Sequence, residues 1–202
     1  MLNESRMILM NAEIKNRIDM IKKGEIPKGY KKTKVGIIPE EWELNTLKKQ
    51  AEVIDGDRGC NYPNEKDFVN DGILFLSTKN IVNSKFDFTE KKFISKEKFD
   101  KLGKGKIKAN DLVITMRGSI GNVALFKKEQ YETAFINAQM AIIRPHNVFN
   151  EFLWLLLNFG SIQKKISLIG SGSAQPQLTK KNVENLLLVN PSFKEQQKIA
   201  QI

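Results

Sequence analysis

The sequence predicts an α/β (α+β) fold, a mixed or antiparallel sheet flanked by terminal helices of coiled-coil type. Three observations point there. Short apolar runs recur between turn signals, namely Ile73 to Leu76, Leu112 to Met116, Val123 to Phe126, Met140 to Ile143 and Leu186 to Val189, and runs of that length read as buried strands. Near the N-terminus Met7, Met10, Ile14, Ile18 and Ile21 fall at spacings of three and four, which on a helix makes one narrow apolar stripe. Towards the C-terminus Pro191 is followed by Ser192-Phe193-Lys194-Glu195. Ser-x-x-Glu is the spacing of a capping box, in which each side chain satisfies the other residue's free backbone donor.

Taken in order, residues 1–23 form a helix whose stripe needs a partner, its own domain or another long helix as a coiled-coil seam. Gly24-Glu25-Ile26-Pro27-Lys28-Gly29 is a breaker, so 24–35 reads as a linker and the domain proper as 36–191. Gly56-Asp57-Arg58-Gly59 is a turn signal, continued as a loop by Asn61-Tyr62-Pro63-Asn64. The strand at Ile73 to Leu76 leaves through Ser77-Thr78-Lys79-Asn80, four hydrogen-bonding side chains in succession. The runs at 112–116 and 123–126 make a hairpin whose turn, Arg117-Gly118-Ser119-Ile120-Gly121, displays one arginine. Ala134 to Gln139 leads into the strand closed by Pro145. One helix is expected from about Asn150 to Leu168, with Leu153, Leu156, Leu157, Ile162, Ile166 and Ile169 inward. Gly170 to Pro176 reads as an ordered loop, Leu178 as the start of a short helix, and 192–202 as the beginning of a second, polar one.

The 202 residues hold 41% hydrophobic side chains and a formal charge of +10, enough for a globular core and basic enough to meet a polyanion. Between Lys79 and Lys108 ten lysines face only Asp87, Glu90, Glu97 and Asp100, so +6 of the +10 sits in this stretch. Localised excess favours a polyanion-facing side over a uniformly solubilising surface. Phe86, Phe88, Phe93 and Phe99 are interleaved with those lysines, and alternation with charge predicts that most of them are core.

The residues that chemistry would need are scarce. One cysteine, Cys60, excludes an internal disulfide, and one histidine, His146, leaves no zinc ligand set; no metal or cofactor is expected. Asn190-Pro191-Ser192-Phe193 imitates an adenine methyltransferase motif, but no glycine-rich cofactor loop precedes it. Gly170-Ser171-Gly172-Ser173 imitates a phosphate cradle but runs into Gln175-Pro176 instead of a lysine-hydroxyl pair. No catalytic constellation is expected. No apolar run reaches the eighteen or so residues of a membrane span, and Glu4, Arg6, Glu13, Lys15, Arg17 and Asp19 interrupt any signal core, so a cytoplasmic protein is expected.

Four stretches together carry a family resemblance: Gly36-Ile-Ile-Pro-Glu-Glu-Trp-Glu, Asp111-Leu-Val-Ile-Thr-Met-Arg-Gly-Ser-Ile-Gly, Ser173-Ala-Gln-Pro-Gln-Leu and Pro191-Ser-Phe-Lys-Glu-Gln-Gln-Lys-Ile-Ala. In this order and spacing the chain resembles the specificity subunit of type I restriction-modification enzymes. The resemblance implies a non-catalytic DNA reader. Residues 36–191 would be a target recognition domain binding one half of a bipartite double-stranded DNA sequence. Residues 1–23 would be a spacer or dimerisation helix and 192–202 the start of a conserved spacer helix. The implied partners are the methyltransferase (modification) subunit, which those helices would dock, and the endonuclease/translocase (restriction) subunit of the full complex. A full member carries two recognition domains and this chain one, so a fragment or a half-subunit is implied, the latter pairing as a homodimer through Met7, Met10, Ile14, Ile18 and Ile21.

The residues expected to touch DNA are Arg58, Asn61, Tyr62, Ser77, Thr78, Lys79, Asn80, Lys91, Lys92, Arg117, Gly118, Ser119, Ser171, Ser173 and Gln175. Lysines suit phosphates, while Arg117, Asn61, Asn80 and Gln175 have the geometry for base edges. The alternative is an assembly or regulatory partner of the methyltransferase without DNA recognition, and a gel shift with a randomised duplex library separates the two.

Overall fold

The computed structural model describes the backbone of residues 4–170 and 177–201 and the side chains of 11–169 and 177–201. In chain order the elements are α1 (Glu4–Lys22), β1 (Tyr30–Thr33), β2 (Gly36–Pro39), β3 (Glu43–Thr46), β4 (Ala51–Asp55), β5 (Phe68–Val69), β6 (Ile73–Leu76), β7 (Ile81–Val82), β8 (Lys85–Phe86), β9 (Lys92–Ile94), α2 (Lys96–Lys101), β10 (Leu112–Thr115), β11 (Val123–Leu125), β12 (Ala134–Ile136), β13 (Met140–Pro145), α3 (Asn150–Asn158), α4 (Gly160–Gly170), α5 (Lys180–Glu184), β14 (Leu187–Asn190) and α6 (Phe193–Ala200). They divide into two compact units, Met1–Leu44 with Val189–Pro191, and Asn45–Leu188 with Ser192–Ile202.

In the first unit α1 presents Ile14 and Ile18, each 46% exposed, with Glu13 and Arg17 paired one turn apart. Met7 and Met10 lie within the helix span, and Ile21 is half-buried. The stretch expected to be a linker holds a strand. β1 pairs antiparallel with β2, and Thr33 closes the turn by donating from Oγ1 to the Gly36 carbonyl and accepting from the Val35 N–H.

The second unit is built on two four-stranded sheets. One is antiparallel, in the order β11-β10-β13-β4; the other is mixed, β12-β6-β9-β5, with β12 and β6 parallel. The apolar run of β6 is buried on both faces. Leu74 and Leu76 join Val113, Met140 and Ile142 in the core shared by the two sheets, while Phe75 points the other way, to Ile94, Phe99, Leu102 and Phe135 beneath α2. That is the two-residue period of a strand wrapped by core, and it explains why the run shows no polar alternation. Phe86, Phe88 and Phe93 pack against the shared core as the sequence predicts, with Phe86 and Phe88 stacked at 5.7 Å. The predicted hairpin is β10–β11, Leu112 opposite Leu125. The predicted capping box forms between Ser192 and Glu195 at α6, and Thr179 makes another with Asn182 at α5.

The expectation of one helix over 150–168 needs correction. The helix predicted from 150 to 168 is two helices, because Phe159 is extended (φ −128, ψ 160) and Gly160 adopts φ +70, a left-handed conformation that glycine enters without steric cost. The break turns the face: Ile162 and Ile166 are buried, but Ile169, expected inward, is 39% exposed. In the lysine-rich stretch Lys79, Lys96 and Lys101 pair with Glu90, Asp100 and Glu97, acids already counted in its +6, and Lys98 reaches Asp67 outside it.

Candidate nucleic-acid interface

Strand register brings distant loops to one rim. In the antiparallel sheet Thr115 lies opposite Met140 and Ala141 opposite Asp55, so the chain after β4, the turn after β10 and the residues before β13 share one end. In the mixed sheet Ile136 lies opposite Leu76 and Phe75 opposite Lys92, which gathers Ser77–Asn80 and Lys91–Lys92 at the end where β12 runs out. The segment Asn137–Gln139 passes from one sheet to the other and joins the two groups.

That segment is a hub of backbone hydrogen bonds. The Asn137 N–H donates to the Leu76 carbonyl at 2.8 Å, and the Gln139 carbonyl accepts from Met116 at 2.8 Å and Arg117 at 3.3 Å. The Ala138 carbonyl accepts from Arg58 Nη2 at 2.9 Å, and the Ala138 N–H donates to the Tyr62 hydroxyl at 3.2 Å. Gly56 is required by proximity alone: a Cβ there would lie 2.5 Å from the Asn137 oxygen. Asp57 fastens the same loop from the other side. Its carboxylate accepts from the N–H groups of Gly59 (2.7 Å), Gly103 (2.8 Å) and Lys104 (3.4 Å). These donors, Gly59 first and Gly103 next, hold its pKa below the usual carboxylate value. A cleft of about 420 Å³ lies between 55–59 and 103–104.

The predicted contact residues separate into presented and structural ones. Arg117, Gly118 and Ser119 are exposed on the β10–β11 turn, and the Arg117 guanidinium meets no partner among the described residues. Arg58 is exposed, and among the described residues its guanidinium bonds a neutral carbonyl and meets no carboxylate. Lys91 and Lys92 are exposed, the latter with Nζ 4.9 Å above the Phe68 ring. Asn61 is exposed and donates to the Lys101 carbonyl at 3.3 Å, and Lys79 sits 3.8 Å from Glu90 with both side chains in solvent. Ser171, Ser173 and Gln175 lie outside the described residues.

Asn80, expected at a base edge, is instead 5% exposed. Its amide oxygen accepts from the Ser77 N–H at 2.9 Å and its Nδ2 donates to the carbonyls of Asp87 and Glu90, so every polar group it has is used to fold the loop. Ser77 and the half-buried Thr78 belong to the same capped turn. Tyr62 is half-buried, its ring against Phe75 and Phe135 at 6.2 and 6.5 Å and its hydroxyl used by Ala138. The sequence reading missed Asp57, Lys104, Asn137–Gln139 and Gln177, which forms an antiparallel bridge with Arg117. The available signal was Asn137-Ala138-Gln139, a polar interruption between two apolar strands.

The far end of the antiparallel sheet has a different character. Arg144 holds Asp111 in a bidentate pair (2.9 and 2.7 Å), with Asp111 only 2% exposed. Asp111 raises the arginine's pKa further. This is an internal tie, and its charge is not offered outward.

The sequence pattern of the type I restriction modification DNA specificity domain matches residues 39–202. The chain belongs to this family. It is 26% identical over 179 residues to the type I restriction enzyme MjaVIII specificity subunit of Methanocaldococcus jannaschii, covering 86% of this chain and 41% of that protein. It is 24% identical over 176 residues to the MjaIX specificity subunit of the same organism, covering 86% and 39%. The chain therefore spans about two fifths of these specificity subunits. The fold resembles the HsdS subunit from Thermoanaerobacter tengcongensis with a TM-score of 0.62 at 17% identity, covering 98% of this chain and 44% of that one. The α/β architecture is thus that of a specificity domain. Among its described residues no group of His, Cys, Asp and Glu could hold a metal ion, and no helix is long and apolar enough to cross a membrane.

Proposed function

We propose that this specificity domain reads one half of a bipartite duplex DNA target through the rim organised by Asn137–Gln139, without catalysis of its own, inside the cytoplasm. The observation that carries this reading is a set of exposed cations with no ion pair among the described residues, Arg58, Lys104 and Arg117 on backbone tied to Asp57 and the Asn137–Gln139 segment, and Lys91 at the same end of the mixed sheet. Cations on a flexible surface give only non-specific attraction; cations on a fixed frame can also set register. The methyltransferase and, in the full complex, the restriction subunit are the proposed protein partners, docked through the helical segments. The exposed Ile14 and Ile18 of α1 suit a helix partner, including that of a second copy.

The test is selection from a randomised duplex library, with and without a cognate modification subunit, followed by a salt titration. Enrichment of a split motif is expected. Lys91→Ala and Lys104→Ala should each weaken binding on all sequences and reduce the salt slope by about 1. Absence of any enriched motif under both conditions refutes the reading. For self-association, Ile14→Lys with Ile18→Lys should abolish any dimer seen by light scattering while leaving the melting of the second unit unchanged.

A further inference from the structure

Arg117 is not alone at the tip of its hairpin. It forms an isolated antiparallel bridge with Gln177, and the Leu178 N–H donates to the Met116 carbonyl at 2.8 Å. A bond between the residue before Arg117 and the residue after Gln177 makes 117 and 177 a non-hydrogen-bonded pair. In such pairs the Cα atoms approach to about 4.5 Å and the side chains leave on the same face, closer than in the hydrogen-bonded kind. Burial agrees with the alternation. Met116 and Leu178 are each 5% exposed, facing the core, while Arg117 and Gln177 are both exposed.

Among the described residues neither side chain is used by the fold: Arg117 and Gln177 have no side-chain hydrogen bond or ion pair, in contrast to Asn80 and Tyr62 on the same rim. Their backbone, however, is fixed. The Gln139 carbonyl accepts from both Met116 and Arg117, and Thr115 closes the turn by donating from Oγ1 to the Ser119 carbonyl and accepting from the Asn122 N–H. Two polar side chains project together from a braced, two-stranded edge.

We propose that Arg117 and Gln177 act as one base-reading unit on two adjacent base pairs, the arginine on a guanine and the glutamine on an adenine. Resting on the DNA-reading function above, the assignment follows from chemistry and spacing. A guanidinium matches the O6 and N7 acceptors of guanine, and a side-chain amide matches the N6 donor and N7 acceptor of adenine in the major groove. Neighbouring base pairs are stacked about 3.4 Å apart, within the reach of two long side chains rooted about 4.5 Å apart. A lysine ammonium can donate to guanine O6 and N7, but with no acceptor it cannot match the N6 donor and N7 acceptor of adenine as the amide does.

The experiment repeats the library selection with the whole chain and the modification subunit, comparing wild type, Arg117→Ala, Gln177→Ala and Lys91→Ala, each checked by thermal melting. Arg117→Ala should lose discrimination at one base pair of the half-site, and Gln177→Ala at its immediate neighbour, by about 5- to 150-fold each. Lys91→Ala should keep the wild-type motif with lower affinity. A motif unchanged in Gln177→Ala, a loss spread equally over all sequences, or two altered positions that are not adjacent would each overturn the unit. Failure of wild type to enrich any motif would instead remove the DNA-reading function, so the two failures are distinguishable.

Discussion

Gly56→Ala is the smallest change that should disturb the whole rim. The added Cβ would lie 2.5 Å from the Asn137 oxygen, 3.1 Å from its carbonyl carbon and 3.2 Å from the Ala138 Cα, all backbone atoms. Ordinary contact begins at 3.4 Å, so one loop must retreat by about 0.9 Å, the difference between 3.4 and 2.5 Å. Neither can do so without loss: Asn137 is tied to Leu76 and Gln139 to Met116 and Arg117, while the Gly56 side is tied through Asp57 to Gly103. Overpacking of this kind costs about 1–3 kcal/mol, which for a domain of this size lowers the melting temperature by roughly 2–12 °C. Because Arg58 is seated on the Ala138 carbonyl, the same retreat should reduce affinity for the selected motif about 5- to 150-fold, the worth of one good base contact. Differential scanning fluorimetry and a gel shift measure the two effects. Gly103→Ala is the control, since its Cβ would meet only Asp57 Oδ2 at an ordinary 3.5 Å and should stay within about 0.5 kcal/mol of wild type. A Gly56→Ala protein that melts and binds like wild type, or a Gly103→Ala protein equally damaged, would refute the argument.

Arg144→Met leaves the Asp111 carboxylate, 2% exposed, without its guanidinium and should cost about 3–5 kcal/mol in urea unfolding; adding Asp111→Leu should recover much of it, because the penalty is the stranded charge. Tyr62→Phe removes the acceptor of the Ala138 N–H at a cost of about 1 kcal/mol, seen as faster hydrogen exchange at Ala138. The pKa of Asp57 is lowered in the folded state by the Gly59 and Gly103 N–H groups. Its stabilisation is therefore complete at neutral pH and is lost as pH falls below the ordinary carboxylate value of about 3.9; Asp57→Asn should weaken the acid dependence of melting between pH 5 and 3.

What the sequence made legible was local chemistry. Ser192 and Glu195 make their capping box with partners three residues apart, and β10–β11 is a hairpin whose strands and turn are contiguous. What it concealed was set by partners far along the chain. Asn80 looked like a surface amide because the Glu90 carbonyl that buries it lies ten residues away, and Tyr62 gave no sign that its hydroxyl meets Ala138, 76 residues on. The helix break at Gly160 escaped because the apolar period resumes at Ile162 and Ile166, so the spacing argument passes over a backbone that has turned.

The rim thus has two kinds of residue, and the difference has a consequence for how such a reader can change its target. Gly56, Asp57, Tyr62 and Asn80 spend their polar groups or their lack of bulk on the frame, and altering them moves several loops at once. Among the described residues the side chains of Arg117, Gln177 and Lys91 are exposed and make no hydrogen bond or ion pair, and Arg117 and Gln177 are held through their main chain. Main-chain bonds do not depend on side-chain identity, so substitutions at these three positions leave the frame where it is. On the reading proposed above, specificity would then be rewritten residue by residue at little cost in stability, since surface substitutions away from such ties usually stay within about 0.5 kcal/mol. Loop length and sequence can vary on the same principle, provided that the carbonyls of Ala138 and Gln139 keep their donors.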